Sequence, residues 1–386
     1  MLRDVMVLGV GVHPFGRFDG KTFEDLGQEA VVTALKDAGG MPWKEVQAAF
    51  CGTMHGGTGA GHRVLARVGM TGIPIVNLET GCAAGSSAFI MAYRTVAAGI
   101  ADVAIALGVE KMPRGFMKMT SYPYWQTMTG LAINTLEFSL RASRHMAEYG
   151  TTEEQLAKVS VKSHKNGALN PYAMYQKEMS LEQVITSKMV CFPLRLMEFA
   201  APGEGAGAAI LCSEEVAKKY NSGRAVKVAA ACIGVAQYGS SRCGGGIGGM
   251  GQSANIHNEE VATKLSKEAY EISGIGPKDL DLVELQDTDS SSEIILYEQF
   301  GLCELGEGGR MIDEGRTELT GDIPVNPSGG LLSCSEPTGA SALRQLAEVT
   351  WHLRGEAGKR QIPNAKAGMA QASGAGGNCT VIILKK

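Results

Sequence analysis

One pattern occurs twice in this chain of 386 residues. Phe23–Phe50 reads as a helix ending in ALKDAGG, followed by KEVQAAF. Glu260–Leu285 reads as a helix ending in AYEISGI, followed by KDLDLVEL. Later in each half a corner of small or turn-forming residues opens a long helix. The first corner is Gly81-Cys82-Ala83 and the second is Glu336-Pro337-Thr338-Gly339. A repeated order restricts the chain to two related units. The strands Val5–Val12, Val46–Cys51, Ile73–Leu78 and Ala101–Val109 alternate with the helices Phe23–Ala38 and Ser86–Ala98. Such alternation marks an α/β fold with a mostly parallel sheet covered on both faces. The second half restarts at Val226–Val235 and ends with the helix Ala340–Arg354 and the strands Lys366–Gln371 and Cys379–Leu384. Pseudo-twofold symmetry would place both corners at one central cleft, one offering Cys82 and the other Glu336.

The first corner carries chemistry. Ile73–Leu78 reads as a buried strand and runs through Thr80-Gly81-Cys82-Ala83-Ala84-Gly85 into an alanine-rich helix. Backbone N–H groups at a helix start favour negative charge, so a thiolate there is stabilised. Small neighbours leave room for a substrate to approach the sulfur. Cys82 is therefore a candidate nucleophile; a small buried core cysteine is the other reading. A cysteine hydrolase of α/β type would want Gly-x-Cys-x-Gly, but Thr80 and Ala84 flank this one.

Composition narrows the class. A net charge of −4 argues against nucleic-acid or membrane-surface partners, and no apolar run is long enough to span a bilayer. The nine cysteines are scattered without a C-x-x-C pair. That suits a reducing cytosol and gives neither a disulfide framework nor a zinc site. Lys111–Ser143 breaks the alternation, being rich in Met, Tyr and Trp, and reads as a lid or binding insertion. The expected organisation is an N-terminal half at 1–110 and 190–222, an insertion at 111–189, and a C-terminal half at 223–386. His164 and His257 read as ordinary surface or core histidines, and the carboxylates of Asp281–Asp289 as strand-end polar groups.

The chain resembles the thiolase superfamily, in particular its sterol-carrier-protein type. The likeness runs nearly end to end. It is carried by Gly72-Ile73-Pro74-Ile75-Val76-Asn77 with Gly81-Cys82-Ala83, by Leu107-Gly108-Val109-Glu110-Lys111-Met112, and by Gly167-Ala168-Leu169-Asn170-Pro171-Tyr172. Asn326-Pro327-Ser328-Gly329-Gly330-Leu331 and Leu353-Arg354-Gly355-Glu356-Ala357-Gly358-Lys359-Arg360 extend it. The resemblance implies two βαβαβαββ halves in five layers, α-β-α-β-α, normally as a homodimer. It implies acyl-CoA substrates, with coenzyme A as substrate or product and no metal. Prokaryotic members of this branch often pair with a small zinc-ribbon and OB-fold subunit. Cys82 becomes the nucleophile, Gly376 in Gly374-Ala375-Gly376-Gly377 the backbone donor beside the sulfur, and Gly329 and Gly330 coenzyme A contacts. The glycine run Gly239–Gly251 reads as a loop over the cleft, with Ser241 and Arg242 as pantetheine or phosphate contacts.

Two positions depart from the family pattern. Its Gly-His-Pro appears as Ser335-Glu336-Pro337, so the base that serves the nucleophile is a glutamate. Its His-Asp-Cys-Phe appears as Gln286-Asp287-Thr288-Asp289, so the usual second acid/base cysteine is a threonine. Gln286 keeps an amide that can hold an oxyanion, and Asp287 and Asp289 are candidate acids. At ordinary values, about 4.3 for Glu and 8.5 for Cys, the proton transfer is uphill by roughly 6 kcal/mol. Burial would raise the glutamate and a helix N-terminus would oppose that. The expectation is that desolvation wins and Glu336 shuttles protons. The departures suggest an unusual substrate, in the style of thiolases that convert benzoylsuccinyl-CoA to benzoyl-CoA and succinyl-CoA. The alternative is a non-catalytic acyl-CoA-binding scaffold.

Overall fold

The computed structural model describes residues 2–115, 124–220, 223–237 and 260–386. The first half contains β1 (Val5–Gly16), α1 (Phe23–Asp37), β2 (Ala48–Gly52), α2 (Ala60–Ala66), β3 (Ile75–Leu78), α3 (Ala84–Ala97) and β4 (Val103–Lys111). Next come α4 (Tyr124–Met128), α5 (Asn134–Tyr149), α6 (Glu153–Gly167), α7 (Leu181–Ile185) and the small hairpin β5 (Met189–Cys191) and β6 (Leu194–Arg195). The chain then returns through β7 (Glu204–Ser213) and α8 (Glu214–Tyr220) to β8 (Val226–Val235). After α9 (Val261–Ser273) follow β9 (Leu282–Glu284), α10 (Ser290–Gln299), α11 (Gly308–Asp313), α12 (Gly330–Cys334), α13 (Ser341–Arg354), β10 (Ala367–Gly374) and β11 (Asn378–Lys385).

The strands run in the order β3-β2-β4-β7-β1-β8-β11-β10-β9. This is two half-sheets meeting at β1 and β8, which pair only through Met6–Lys227 and Val7–Val226. Counted outward from that seam the halves match. β7 and β11 are antiparallel to β1 and β8, β4 and β10 are antiparallel to those, and β2 and β9 are parallel to β4 and β10. A single parallel bridge, Val283 to Val325, stands where β3 stands in the first half. A short 3-10 turn precedes β2 and another precedes β9. The repeated sequence order is therefore a repeated structure.

Among the described residues, three large apolar cores and a small one of Ala83, Ala342 and Ala372 separate the layers. Strand residues alternate between faces, so neighbours along one strand serve different cores. Ile105 and Leu107 pack outward with Leu26, Val31 and Leu35 of α1. Ala104 and Ala106 pack inward with Phe89, Ile90 and Leu343, from α3 and α13. Val381 and Ile383 face Leu265 of α9 and Ile294 and Tyr297 of α10, whereas Ile382 and Leu384 join the central core. The layers run α1, first half-sheet, α3 with α13, second half-sheet, α9 with α10. This is the five-layer arrangement expected.

The two corners meet because side chains are missing where they cross. A Cβ on Gly108 would lie 2.2 Å from the Gly339 carbonyl oxygen, and one on Gly85 would lie 2.6 Å from it. Any side chain there would push α13 off α3. One strand differs from the sequence reading. Ile73–Leu78 was expected to be a buried strand, but β3 is the open edge of the sheet and Val76 is 43% exposed. Its apolar run does not itself distinguish a central strand from an edge. The stretch read as a lid or binding insertion, Lys111–Ser143, contains the start of α5 at Asn134.

Candidate active site

Cys82 sits one residue before the N-cap of α3, partly exposed. Gly81 takes φ 62°, and a Cβ there would lie 2.3 Å from the Ala375 nitrogen. The loop 374–377 between β10 and β11 is thus packed against the backbone just before the thiol. Gly376 lies in that loop at φ 80°, a left-handed conformation that suits glycine.

The second corner arrives from the opposite half. Ser335 holds φ 75°, which turns the chain out of α12. The Glu336 N–H then donates to the Ala201 carbonyl at 2.9 Å, pinning the corner to the segment before β7. The Glu336 side chain is 5% exposed and hydrogen-bonds the Cys82 thiol. Gln286, just past β9, donates from Nε2 to Glu336 Oε1 at 2.8 Å. Its amide orientation is set on the far side, where Oε1 accepts from the Ser373 N–H at 2.8 Å. Thr288 also hydrogen-bonds Glu336. The structure therefore brings Cys82, Glu336 and Gln286 together.

Burial pushes the Glu336 carboxyl up to about 7. The nearby Asp289 charge adds to the rise, while hydrogen bonds from Cys82, Gln286 and Thr288 work against it. Burial likewise pushes the Cys82 thiol well above its ordinary value, and the facing Glu336 and more distant Glu110 charges add to it. The resting proton is on sulfur. A carboxylate near 7 is a far better acceptor than one near 4.

A cavity of about 410 Å³ opens beside this group and has Glu336 and Thr288 in its wall. Its other walls are mostly apolar, with Met112, Phe138, Leu196, Phe199 and Leu332 among them. That volume falls within the range of small-molecule pockets.

The remaining expected residues lie elsewhere. The Asp287 carboxylate is buried and accepts from Leu331 N at 2.7 Å and Leu332 N at 3.3 Å, capping α12. Asp289 caps α10, accepting from Ser292 N at 3.1 Å. Gly329 and Gly330, expected to touch coenzyme A, are buried. A Cβ on Gly329 would lie 2.7 Å from the Gly167 backbone, and one on Gly330 2.1 Å from Asp287 Oδ2. Protein already fills the space where a side chain at either position would stand. Gly330→Ala is expected to cost at least about 1–2 kcal/mol, since φ 60° is strained for alanine. The shift in urea midpoint measures it. Ser241, Arg242 and the glycine run around them lie outside the described residues, as does His257.

Sequence reasoning missed Glu110. It sits fully buried at the end of β4, and accepts hydrogen bonds from Thr53, Met54 and His55 on one side and from Thr338 and Gly339 on the other. Its signal was a lone carboxylate closing an apolar strand, ALGVE.

Residues 5–190 match the family described as thiolase, N-terminal domain, and residues 249–386 match thiolase C-terminal domain-like. The chain belongs to the thiolase family. This thiolase is 38% identical over 398 residues to sterol carrier protein 2 of Bos taurus, covering 99% of the chain and 72% of that protein. It is 37% identical to an acetyl-CoA acetyltransferase of Methanothermobacter thermautotrophicus, with both chains covered in full, 100% each. It is 35% identical to the benzoylsuccinyl-CoA thiolase subunit BbsB of Thauera aromatica, over 97% of this chain and 95% of that one. In fold it matches a chain solved as Ltp2-ChsH2(DUF35) aldolase with a TM-score of 0.85 at 23% identity, covering 100% of this chain and 98% of that one. The thiolase is thus an acyltransferase of this type.

Proposed function

We propose that this thiolase cleaves, or in reverse forms, a 3-ketoacyl-CoA through an acyl group carried on Cys82. The supporting observation is the Cys82–Glu336–Gln286 contact, of which Glu336 reaches the wall of an apolar cavity. Glu336 takes the thiol proton as Cys82 Sγ attacks the keto carbon. The bond between C2 and C3 then breaks, leaving an acyl-thioester on Cys82 and the enolate of the shorter acyl-CoA. That enolate takes the proton from Glu336 and leaves as product. Coenzyme A next gives its thiol proton to Glu336 and attacks the acyl group, and the Cys82 thiolate recovers the proton. One carboxyl thus serves both half-reactions. Gln286 and the N–H of Gly376 would hold the developing oxyanions. Asp287 would act only by positioning α12 and the Glu336 turn.

For substrate, the 35% identity to the Thauera subunit and the aromatic walls Phe138 and Phe199 favour benzoylsuccinyl-CoA, giving benzoyl-CoA and succinyl-CoA. A homodimer through the open edge β3 would cover the exposed Val76. The fold match to Ltp2-ChsH2(DUF35) supports a small zinc-ribbon and OB-fold partner as well. The eight described cysteines are all free, which favours a cytoplasmic setting.

The test is incubation with benzoyl-CoA and succinyl-CoA, with and without the small partner, followed by peptide mass analysis. A benzoyl adduct on the Cys82 peptide is expected. Iodoacetamide labelling of Cys82 that acyl-CoA blocks, with no acyl adduct and no thioester cleavage, would instead leave a binding scaffold.

A further inference from the structure

The wall of the same cavity includes a residue with an unpartnered buried nitrogen. His164 lies on α6 and lines the cavity wall. Its side chain is 2% exposed, and its buried Nδ1 has no hydrogen-bond partner. The ring contacts Tyr175 at 5.9 Å between centroids, tilted, which leaves the nitrogen unserved. An unpartnered buried polar atom is costly, so one beside a pocket calls for an explanation.

Looseness does not explain it, because α6 is anchored on both sides of this position. Lys162 makes a buried ion pair with Glu293 and donates to the Val325 carbonyl at 3.1 Å. Asn166 Nδ2 donates to the Asn326 carbonyl at 3.1 Å. The imidazole is held ready by its own helix. Its ring neighbour Tyr175 and the other described residues around it leave Nδ1 without a hydrogen bond.

We propose that His164 is a specificity-determining residue that hydrogen-bonds an oxygen carried by the acyl chain itself. The substrate class is then an acyl-CoA with a largely apolar acyl group and one oxygen function beyond the reacting carbonyl. The inference rests on the part of the proposed function that seats the acyl chain of an acyl-CoA in this cavity, not on the transfer step. Burial pushes the imidazole down to about 4, so the ring is neutral at pH 7 and offers one donor and one acceptor. Such a ring suits a hydroxyl or a keto oxygen. A site built to bond an oxygen discriminates against the analogue lacking it, because the protein group is then left unpaired.

Binding tests this without turnover. Hexanoyl-CoA is compared by calorimetry with the three isomeric hydroxyhexanoyl-CoAs that carry the hydroxyl on one of the three outer carbons. At least one hydroxyl isomer is expected to bind the wild-type protein about tenfold tighter than hexanoyl-CoA, the effect of one hydrogen bond of about 1.4 kcal/mol. His164→Leu should abolish that preference while keeping affinity for hexanoyl-CoA, and His164→Gln should retain part of it. His164→Phe replaces the leucine variant should that one not fold. A wild-type protein that binds no hydroxyl isomer more tightly overturns the proposal, and so does a preference that survives in His164→Leu or His164→Phe. Absence of an acyl adduct on Cys82 with the binding preference intact would sink the catalytic reading and leave this one standing.

Discussion

Glu336→Gln is expected to cut thiolysis by about 10²–10⁴-fold, the span that a positioned general base supplies. Glutamine keeps the size of the side chain and still accepts the Gln286 amide, so the loss isolates proton transfer. The pH profile carries a second signature. With Glu336 near 7, kcat/KM should fall about tenfold between pH 8 and pH 6, because the base must be ionised. The glutamine variant should lose that limb. Stability should move the opposite way. Burial raises the Glu336 carboxyl from 4.5 in an ordinary setting to about 7 in the fold, so the folded chain holds the proton more tightly than the unfolded one. Its favourable contribution is complete below 4.5 and is lost as pH rises through 7. Above that the ionised carboxylate carries a penalty on the order of 3 kcal/mol, which glutamine does not. The variant should be more stable than wild type at pH 8 and about equal near pH 4. Denaturant midpoints at the two pH values check this. Wild-type thiolysis in Glu336→Gln would remove Glu336 from the mechanism.

The pairing behind that prediction was legible in the sequence. A repeat whose order holds implies a pseudo-twofold, and a pseudo-twofold brings equivalent corners together. Cys82 and Glu336 follow from that, and the desolvation that lifts Glu336 follows from where they meet. What could not be read was set by long-range contact. Asp287 sits beside Gln286 in sequence, yet only the placement of α12 shows that its carboxylate caps Leu331 and Leu332. Gly329 and Gly330 looked like a ligand loop, since motif glycines serve close packing and ligand approach equally well. The cavity draws its walls from residues as far apart as Met112 and Glu336, a juxtaposition no local pattern encodes. His164 looked ordinary for the same reason, because its missing partner is visible only once its neighbours are known.

Glu110→Gln should destabilise the fold by about 3 kcal/mol or more. The carboxylate accepts on both oxygens. Oε1 takes Thr53 Oγ1 at 3.2 Å and His55 N at 3.0 Å, while Oε2 takes Met54 N at 2.8 Å, Thr338 Oγ1 at 2.9 Å and Gly339 N at 3.2 Å. An amide accepts on only one side. Its NH₂ would face at least one buried backbone N–H in either orientation, each such clash costing about 1–3 kcal/mol, and hydroxyls would have to turn. The two sides of this clamp belong to different halves of the molecule, the loop after β2 and the start of α13. Loosening it frees the turn that carries Glu336, so activity should fall along with the denaturant midpoint. The thiol should respond in the other direction. The Glu110 charge helps to hold the Cys82 thiol high, so removing that charge lowers it and speeds alkylation by iodoacetamide at a fixed pH below the thiol's own value. A group that merely assisted catalysis would not couple lost stability to a more reactive cysteine. A variant as stable as wild type, with unchanged alkylation, would show that Glu110 neither joins the halves nor sets the field at the sulfur.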